Sequence, residues 1–402
     1  MDPLVRQTLT RLGAAYALAW ATTSMGVGAG SAAIVNMTGN LAHAGMYVAL
    51  FNVSAAAGAA LGGRVMDRLG RKPPLIAAYL LATIGYLVAG VAVSRSMLVL
   101  FVIGTAMFAM SFGTANLSRL AAAEMFSPAE RGRGVAWIQI AATFGAIVGP
   151  LLLVLSEPLG RITGRAPMSL VWFLAPPLLI ASAFITRSAT EPRTLAIPAP
   201  PPMPGARSAV AVAATGTIIA GTISLAASQA AMAAVMGVSG AAVAHAGHGV
   251  PVLGSIMFLH FIGMFGLSRV VGRLVDKVGR LPTILAGLGL LALGGAIVAV
   301  VPGAVGFGVG LLLVGLGWSF GFIGSTVLLT DATAPERRAR VLGRADLTGQ
   351  LTAAALALGS GWWFAARGVA GLGIVAIVVA ALPVVLLVRL RRPAAHAQAG
   401  VR

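Results

Sequence analysis

The stretch GRVMDRLGRKP (63–73) occurs a second time in this chain, as GRLVDKVGRLP (272–282). Gly, Arg, Asp, a basic residue, Gly, Arg and Pro recur in the same order and spacing. A second loop, EMFSPAERGR (124–133), matches DATAPERRAR (331–340) at nearly the same offset. Two matches at nearly the same offset indicate a duplication, so the sequence predicts a protein built from two similar halves.

The composition places both halves in a membrane. Of the 402 residues, 58% are hydrophobic and 9% are charged, and the mean hydropathy is +0.94. A soluble domain cannot bury that much apolar surface, whereas about 20 apolar residues in a helix cross a bilayer. Twelve such spans are predicted, at residues 12–35, 44–64, 73–93, 97–120, 134–155, 167–187, 209–238, 251–271, 282–301, 304–329, 341–364 and 368–389.

A Pro-rich polar segment, EPRTLAIPAPPPMPGARS (191–208), separates the sixth predicted span from the seventh. Because such a segment cannot cross a bilayer, we interpret it as a cytoplasmic linker. The predicted fold is an all-α membrane protein whose twelve transmembrane helices form two pseudo-symmetric six-helix bundles, residues 1–190 and 209–402.

The net charge of +18 has a one-sided distribution in this topology. Of the 28 Lys and Arg residues, all except Arg95, Arg161, Arg165 and Arg367 fall on one side of the membrane. Loops rich in Lys and Arg remain in the cytoplasm, so both termini are predicted to be cytoplasmic. The expected partner of this charge is the lipid bilayer and not nucleic acid.

The repeated stretch follows the second predicted span and resembles the loop signature of the major facilitator superfamily. The residues that carry the match in the two copies are Gly63, Arg64, Asp67, Arg71, Gly272, Arg273, Asp276 and Arg280. The resemblance implies the fold of that superfamily and a conformational latch, in which each Asp pairs with basic groups and a helix end. The alternative is that these charges only reach the headgroups and set the topology.

Two stretches in consecutive spans, AAMAAVMG (230–237) and LHFIGMFG (259–266), carry metal-binding side chains four residues apart. Met232 and Met236 are predicted to share one face of span 7, and His260 and Met264 one face of span 8. Thioethers are soft neutral ligands that favour Cu(I), and the chain has no Cys to supply a thiolate. The alternative is that these Met side chains only pack between helices.

The predicted outer loop, residues 239–250, contains two more imidazoles in AHAGHG. His245 and His248 are candidates for gathering metal at the outer mouth. The alternative is that they belong to an ordinary solvated loop.

The order MxxxM on span 7 and HxxxM on span 8 resembles the CcoA-like family, which includes bacterial copper importers that supply assembly of the cbb-type cytochrome c oxidase. The resemblance implies that Met232, Met236, His260 and Met264 bind copper as a transported substrate. It also implies import across the bacterial inner membrane toward a cytoplasmic copper acceptor or chaperone. No permanently bound cofactor is expected, and the protein is expected to be a monomer.

Some CcoA-like relatives carry Cys in span 7, where this chain has Ser224 and Ser228.

The energy source for transport is a separate question. Asp346, near the cytoplasmic end of span 11, is the candidate for proton coupling, and the alternative is a structural partner for an Arg. No nucleotide-binding loop, catalytic triad or metal–carboxylate cluster is visible, so neither ATP hydrolysis nor an enzyme is expected.

Two other functions compete with copper import. The first is transport of a drug or of a riboflavin-like metabolite. GAIVGP (145–150) partly resembles the antiporter signature of drug–proton exchangers, and some CcoA-like relatives are thought to carry riboflavin. An organic substrate of that kind needs rings to stack on, and the candidates are Trp20, Phe108, Phe112 and Trp137. The second competitor is a copper sensor or binding scaffold, against which the duplicated latch loops argue.

Overall fold

The computed structural model describes residues 1–127, 131–197, 211–333 and 335–390, and within these ranges the regular structure is helical. The α-helices are α1 Pro3–Thr38, α2 Met46–Leu69, α3 Lys72–Arg95, α4 Leu98–Ala115, α5 Ser118–Glu124, α6 Arg131–Thr163, α7 Pro167–Ser188, α8 Ala211–Met236, α9 Ser239–His245, α10 Val250–Phe261, α11 Ser268–Val278, α12 Arg280–Val300, α13 Gly303–Asp331 and α14 Pro335–Leu390. Two 3-10 helices, Leu41–His43 and Pro192–Leu195, and a π-helix, Ile262–Gly266, complete the described elements.

Among the described residues, eleven helical segments are long and apolar enough to cross a membrane. The last of them joins two helices, because α14 is kinked at Gly368, where φ is 62° and ψ is −158°. Glycine adopts a positive φ without a steric penalty. The kink falls at the boundary between the predicted spans 341–364 and 368–389. The prediction of an all-α membrane fold with about twelve apolar helices is therefore confirmed.

The span predicted at 97–120 corresponds to one apolar segment, Leu98–Glu124, which is interrupted near Asn116 between α4 and α5. Two other predicted boundaries are wrong. Most of the predicted outer loop 239–250 is helix, because the small residues at the start of α9 are buried against the protein, and α9 continues to His245. The span predicted at 251–271 continues through the π-helix into α11 and ends at Val278. The predicted linker 191–208 begins with the 3-10 helix, and its residues 198–208 lie outside the described residues.

Helix contacts group α1–α7 as one half of the molecule and α8–α14 as the other. In the first half, α1 packs against α6 and α7, and α3 packs against α4 and α7. In the second half, α8 and α12 each pack against α13 and α14. The two halves meet where α2 contacts α14, α6 contacts α10 and α1 contacts α9.

The turns between the helices define two faces. The basic face contains the start of α1 and the turns at 70–71, 125–127, 279 and 332–333. The opposite face contains the turns at 39–45, 96–97, 164–166, 246–249 and 301–302.

At the opposite face the halves meet through close backbone contacts. A Cβ atom added to Gly45 would lie 1.6 Å from the carbonyl oxygen of Ala357 in α14. The backbone N–H of Ala241 in α9 donates a hydrogen bond of 3.1 Å to Oγ of Ser31 in α1. Small residues allow helices in a membrane to approach this closely, and here they seal one end of the interface between the halves.

Candidate functional site

A cavity of about 180 Å³ lies between the two halves. Residues of α1, α2, α4, α5 and α6 form one wall, and residues of α8, α10, the π-helix, α13 and α14 form the other. The lining includes the amide side chains of Asn52, Asn116, Gln139, Gln229 and Gln350. A solute in this cavity would contact both halves, which is the position that alternating access requires.

Three of the four predicted metal ligands line this cavity. Met232 and Met236 face it from α8, and Met264 faces it from the π-helix. All three side chains are buried. Within the described part of the chain, no group of three or more His, Cys, Asp or Glu residues could hold a metal ion. A metal bound in the cavity would therefore depend mainly on thioether sulfur.

The fourth predicted ligand, His260, does not line the cavity. Its Nδ1 lies 2.8 Å from the carbonyl oxygen of Leu311 in α13, so the ring faces that helix. The prediction that His260 and Met264 share a face assumed an α-helix, but a π-helix begins at Ile262. Because a π-turn contains an additional residue, positions four apart no longer lie above one another.

His260 has one free ring nitrogen. The carbonyl of Leu311 can only accept a hydrogen bond, so Nδ1 carries the proton and donates it. The other nitrogen, Nε2, is buried and has no hydrogen-bond partner among the described residues. A histidine that ligates a metal commonly has this arrangement, with one N–H held by a backbone carbonyl and the other nitrogen available.

Other polar contacts in the cavity were missed by sequence reasoning. Nε1 of Trp318 donates a hydrogen bond of 2.6 Å to Oε1 of Gln229. Arg119 at the end of the fourth span lies 3.6 Å from the carboxylate of Asp346. Both residues line the cavity, and the contact leaves open whether Asp346 carries a proton or only pairs with an Arg.

Aromatic rings cover much of the remaining wall. Trp20 packs edge-on against Phe112 and Phe265, with ring centroids 5.1 Å and 5.5 Å apart. Trp318 stacks on Phe322, with centroids 4.8 Å apart and planes 13° from parallel. Nε1 of Trp20 is buried and has no hydrogen-bond partner within the described structure. The cavity therefore offers ring faces as well as thioethers.

Other candidate residues lie away from the cavity. Phe108 stacks on Tyr86 inside the first half, with ring centroids 4.2 Å apart. Trp137 is partly exposed and lies near Gly13 of α1. The hydroxyls of Ser224 and Ser228 each donate to a carbonyl one turn earlier in α8.

The two loop histidines are exposed on the opposite face. His245 ends α9 and lies edge-on to Phe364, with ring centroids 6.0 Å apart. His248 lines a separate apolar pocket of about 430 Å³ beside Val301 and Phe307. Neither residue reaches the cavity between the halves, and the sealed contacts of the opposite face lie on that side of the molecule.

The predicted latch lies on the basic face and is centred on Arg71. Two guanidinium nitrogens of Arg71 contact the carboxylate of Glu124, at 2.5 Å and 3.0 Å. A third contact, of 3.1 Å, joins Arg71 to Asp67, whose side chain is largely exposed. The hydrogen bonds to Glu124 raise the pKa of Arg71. In the second half, Arg280 pairs with Asp331 at 2.7 Å, so the repeated loops make equivalent contacts.

Glu191 contacts the predicted latch, and the sequence did not indicate this contact. Its carboxylate accepts the backbone N–H groups of Arg71 at 2.7 Å and Lys72 at 3.0 Å. These contacts satisfy backbone donors at the start of α3, where a negative charge is favourable. The other latch positions, Gly63 and Arg64 with Gly272, Arg273 and Asp276, lie in α2 and α11.

Comparisons with known proteins agree with this architecture. Residues 12–216 match the family model described as the Major Facilitator Superfamily. The chain is 29% identical over 372 residues to YdeG of Bacillus subtilis (strain 168), named as an uncharacterized MFS-type transporter, covering 88% of this chain and 84% of YdeG. It is 26% identical over 312 residues to the riboflavin transporter RfnT of Brucella anthropi, covering 74% of each. A solved D-xylose–proton symporter has a TM-score of 0.72 at 17% identity, covering 94% of this chain and 96% of the symporter.

Proposed function

Because this chain belongs to the major facilitator superfamily, and is thus a transporter and not an enzyme, we propose that its substrate is copper, carried as Cu(I). The two halves move copper by alternating access across the bacterial inner membrane. The basic face and both termini lie in the cytoplasm, in accordance with the positive-inside rule. A cytoplasmic acceptor or chaperone receives the ion, which then serves cytochrome c oxidase assembly. The protein acts as a monomer.

The observation that carries this proposal is that Met232, Met236 and Met264 line one cavity between the halves. Neutral thioethers suit a soft monovalent ion, whereas zinc or manganese would require anionic ligands to offset two charges. A small number of neutral ligands also permits release, which a transporter requires. His260 does not line this cavity, and its Nε2, which has no hydrogen-bond partner among the described residues, is assigned to a later position on the path, after the Met ligands.

A second candidate cargo is a planar organic molecule such as a flavin. The observation that favours it is the aromatic wall, in which Trp20 packs on Phe112 and Phe265, and Trp318 stacks on Phe322. Flat aromatic ligands bind well between such rings, and neighbouring amides fix their orientation. The similarity to a riboflavin transporter is compatible with this cargo.

Copper accumulation in copper-starved cells tests the proposal. We expect Met232→Leu and Met264→Leu to reduce accumulation of radiolabelled copper by roughly tenfold or more, because leucine preserves volume but removes the sulfur. We expect a similar loss for His260→Gln, whose amide can still donate to the carbonyl of Leu311. The matched control is Met107→Leu in α4, a methionine outside the cavity, which should leave accumulation unchanged.

Riboflavin uptake by the same variants separates the two cargoes. If the three variants, expressed at wild-type levels, accumulate copper normally, the copper proposal is wrong. If they also take up radiolabelled riboflavin normally while Trp20→Leu and Trp318→Leu do not, the aromatic wall is the substrate site.

A further inference from the structure

One more methionine, Met257 of α10, lies just beyond the cavity, toward the opposite face. α10 is a regular α-helix from Val250 to Phe261, so Met257 and Phe261, four residues apart, share one face of it. Phe261 lines the cavity, whereas Met257 is fully buried and does not. Because α10 begins after the turn at 246–249, Met257 is one turn closer to the opposite face than Phe261. The cavity-lining side of α10 therefore continues beyond the cavity to a thioether.

The side chain of Met257 lies where the two halves meet. Its Sδ is 3.8 Å from Oγ of Ser239, the first residue of α9. A Cβ atom added to Gly28 of α1 would lie 3.1 Å from Cγ of Met257 and 3.8 Å from Sδ. Beside it α1 and α9 are in direct contact, since a Cβ at Gly240 would lie 2.3 Å from the carbonyl oxygen of Gly28. Met257 is therefore enclosed by the contact between α1 and α9, which is part of the seal at the opposite face.

Met257 is also close to one of the cavity methionines. Oγ of Ser239 donates a hydrogen bond of 2.6 Å to the carbonyl oxygen of Met236, which ends α8 and lines the cavity. One hydroxyl thus contacts both methionines. Its single proton is directed to the carbonyl at the shorter distance, which leaves the lone pairs of the Met257 sulfur free. Met236 and Met257 therefore lie at one level of the molecule, on two neighbouring helices.

We propose that Met257 is a further copper ligand of the transport path, which binds Cu(I) when α1 and α9 separate and passes it to Met236. This inference rests on the proposed cargo. While α1 and α9 are in contact, Met257 is closed off from both the outside and the cavity. Once they separate, it is the thioether that an ion entering from the opposite face meets on the way to Met236. The transfer exchanges one neutral thioether for another, so neither the charge nor the oxidation state of the ion changes.

Packing alone is the competing explanation, because methionine fills irregular gaps between helices and Gly28 leaves such a gap. The two explanations predict opposite orders of activity among substitutions. Leucine fills the space better than cysteine but has no sulfur, whereas cysteine leaves a gap but keeps a soft ligand. A packing role therefore favours leucine at position 257, and a ligand role favours cysteine.

The dependence of copper uptake on external copper concentration tests the proposal, in copper-starved cells that contain equal amounts of each variant. We expect Met257→Leu and Met257→Val, which differ in size but both lack sulfur, to raise the half-saturating concentration about tenfold. Their maximal rate should match that of the parent, because the ligands inside the cavity are unchanged. Met257→Cys should remain close to the parent. The control is Met107→Leu in α4, outside the cavity, which should be indistinguishable from the parent.

The outcomes separate this inference from the proposed function. If the parent accumulates copper and Met257→Leu shows the same half-saturating concentration, Met257 is a packing residue and the inference is wrong, whatever happens to the maximal rate. Better uptake by Met257→Leu than by Met257→Cys would lead to the same conclusion. If the parent accumulates no more copper than cells with empty vector, the proposed cargo itself is wrong.

Discussion

Valine in place of Gly45 will hold the opposite face open and, in the orientation proposed above, a cavity residue will then react roughly tenfold faster with a reagent added outside the cell. The reason is steric, since a Cβ at this position would lie 1.6 Å from the carbonyl oxygen of Ala357. Overpacking of this kind costs about 1–3 kcal/mol. The cost applies only when the halves are in contact, so it lowers the population of the sealed state by about one order of magnitude or more.

The measurement uses a cysteine introduced at Val27, which lines the cavity from α1. Since the chain has no other Cys, labelling of Val27→Cys by an impermeant maleimide in intact cells reports access from outside. The control is Gly289→Val in α12, where an added Cβ meets no atom within 4 Å. Equal labelling rates in the two valine variants would show that the Gly45 contact does not close the interface.

The membrane fold could be predicted because its determinants are local. Apolar runs of helical length predict the crossings, and the repeat of residues 63–73 at 272–282 predicts the duplication. The same applies to Met232 and Met236, whose spacing of four in a regular α-helix places both on one wall of the cavity.

The spacing rule failed at His260 and Met264 because the helix is not regular there. The π-helix and α13 approach so closely that a Cβ at Gly263 would lie 2.3 Å from the carbonyl oxygen of Leu312. The π-helix begins within this crossing, at Ile262. Such a turn depends on packing against a helix some fifty residues away, which hydrophobic periodicity does not report.

Long-range polar contacts were also outside the reach of the sequence. Asp346 is recognisable in the sequence as an acid in a membrane span, but its partner Arg119 lies in the other half of the chain. Glu191 reads as the first residue of a polar linker, although it caps α3 through Arg71 and Lys72. The contact between Glu124 and Arg71 is different, because the sequence gives an indication of it. The two loops that contain these residues both recur in the second half of the chain, at nearly the same offset.

Replacing Arg71 with Gln in the predicted latch will lower the apparent Tm of the purified protein by several degrees. The substitution removes two contacts with Glu124 and one with Asp67. It leaves the carboxylate of Glu124, only 30% exposed, without a cation. Leaving a partly buried charge unpaired costs roughly 1–3 kcal/mol. Thermal unfolding in detergent, followed by tryptophan fluorescence, measures the shift.

The repeat supplies a matched control for this prediction. Arg280 occupies the position of Arg71 in the second half, but its pair with Asp331 is more exposed, at 37% and 50% of the two side chains. Solvent screens such a pair, so Arg280→Gln should cost at most about 1 kcal/mol. Arg71→Lys should fall between the two, because lysine retains the charge but cannot make the two-nitrogen contact with Glu124. Equal losses for Arg71→Gln and Arg280→Gln would show that burial of the Glu124 pair does not determine the strength of the latch.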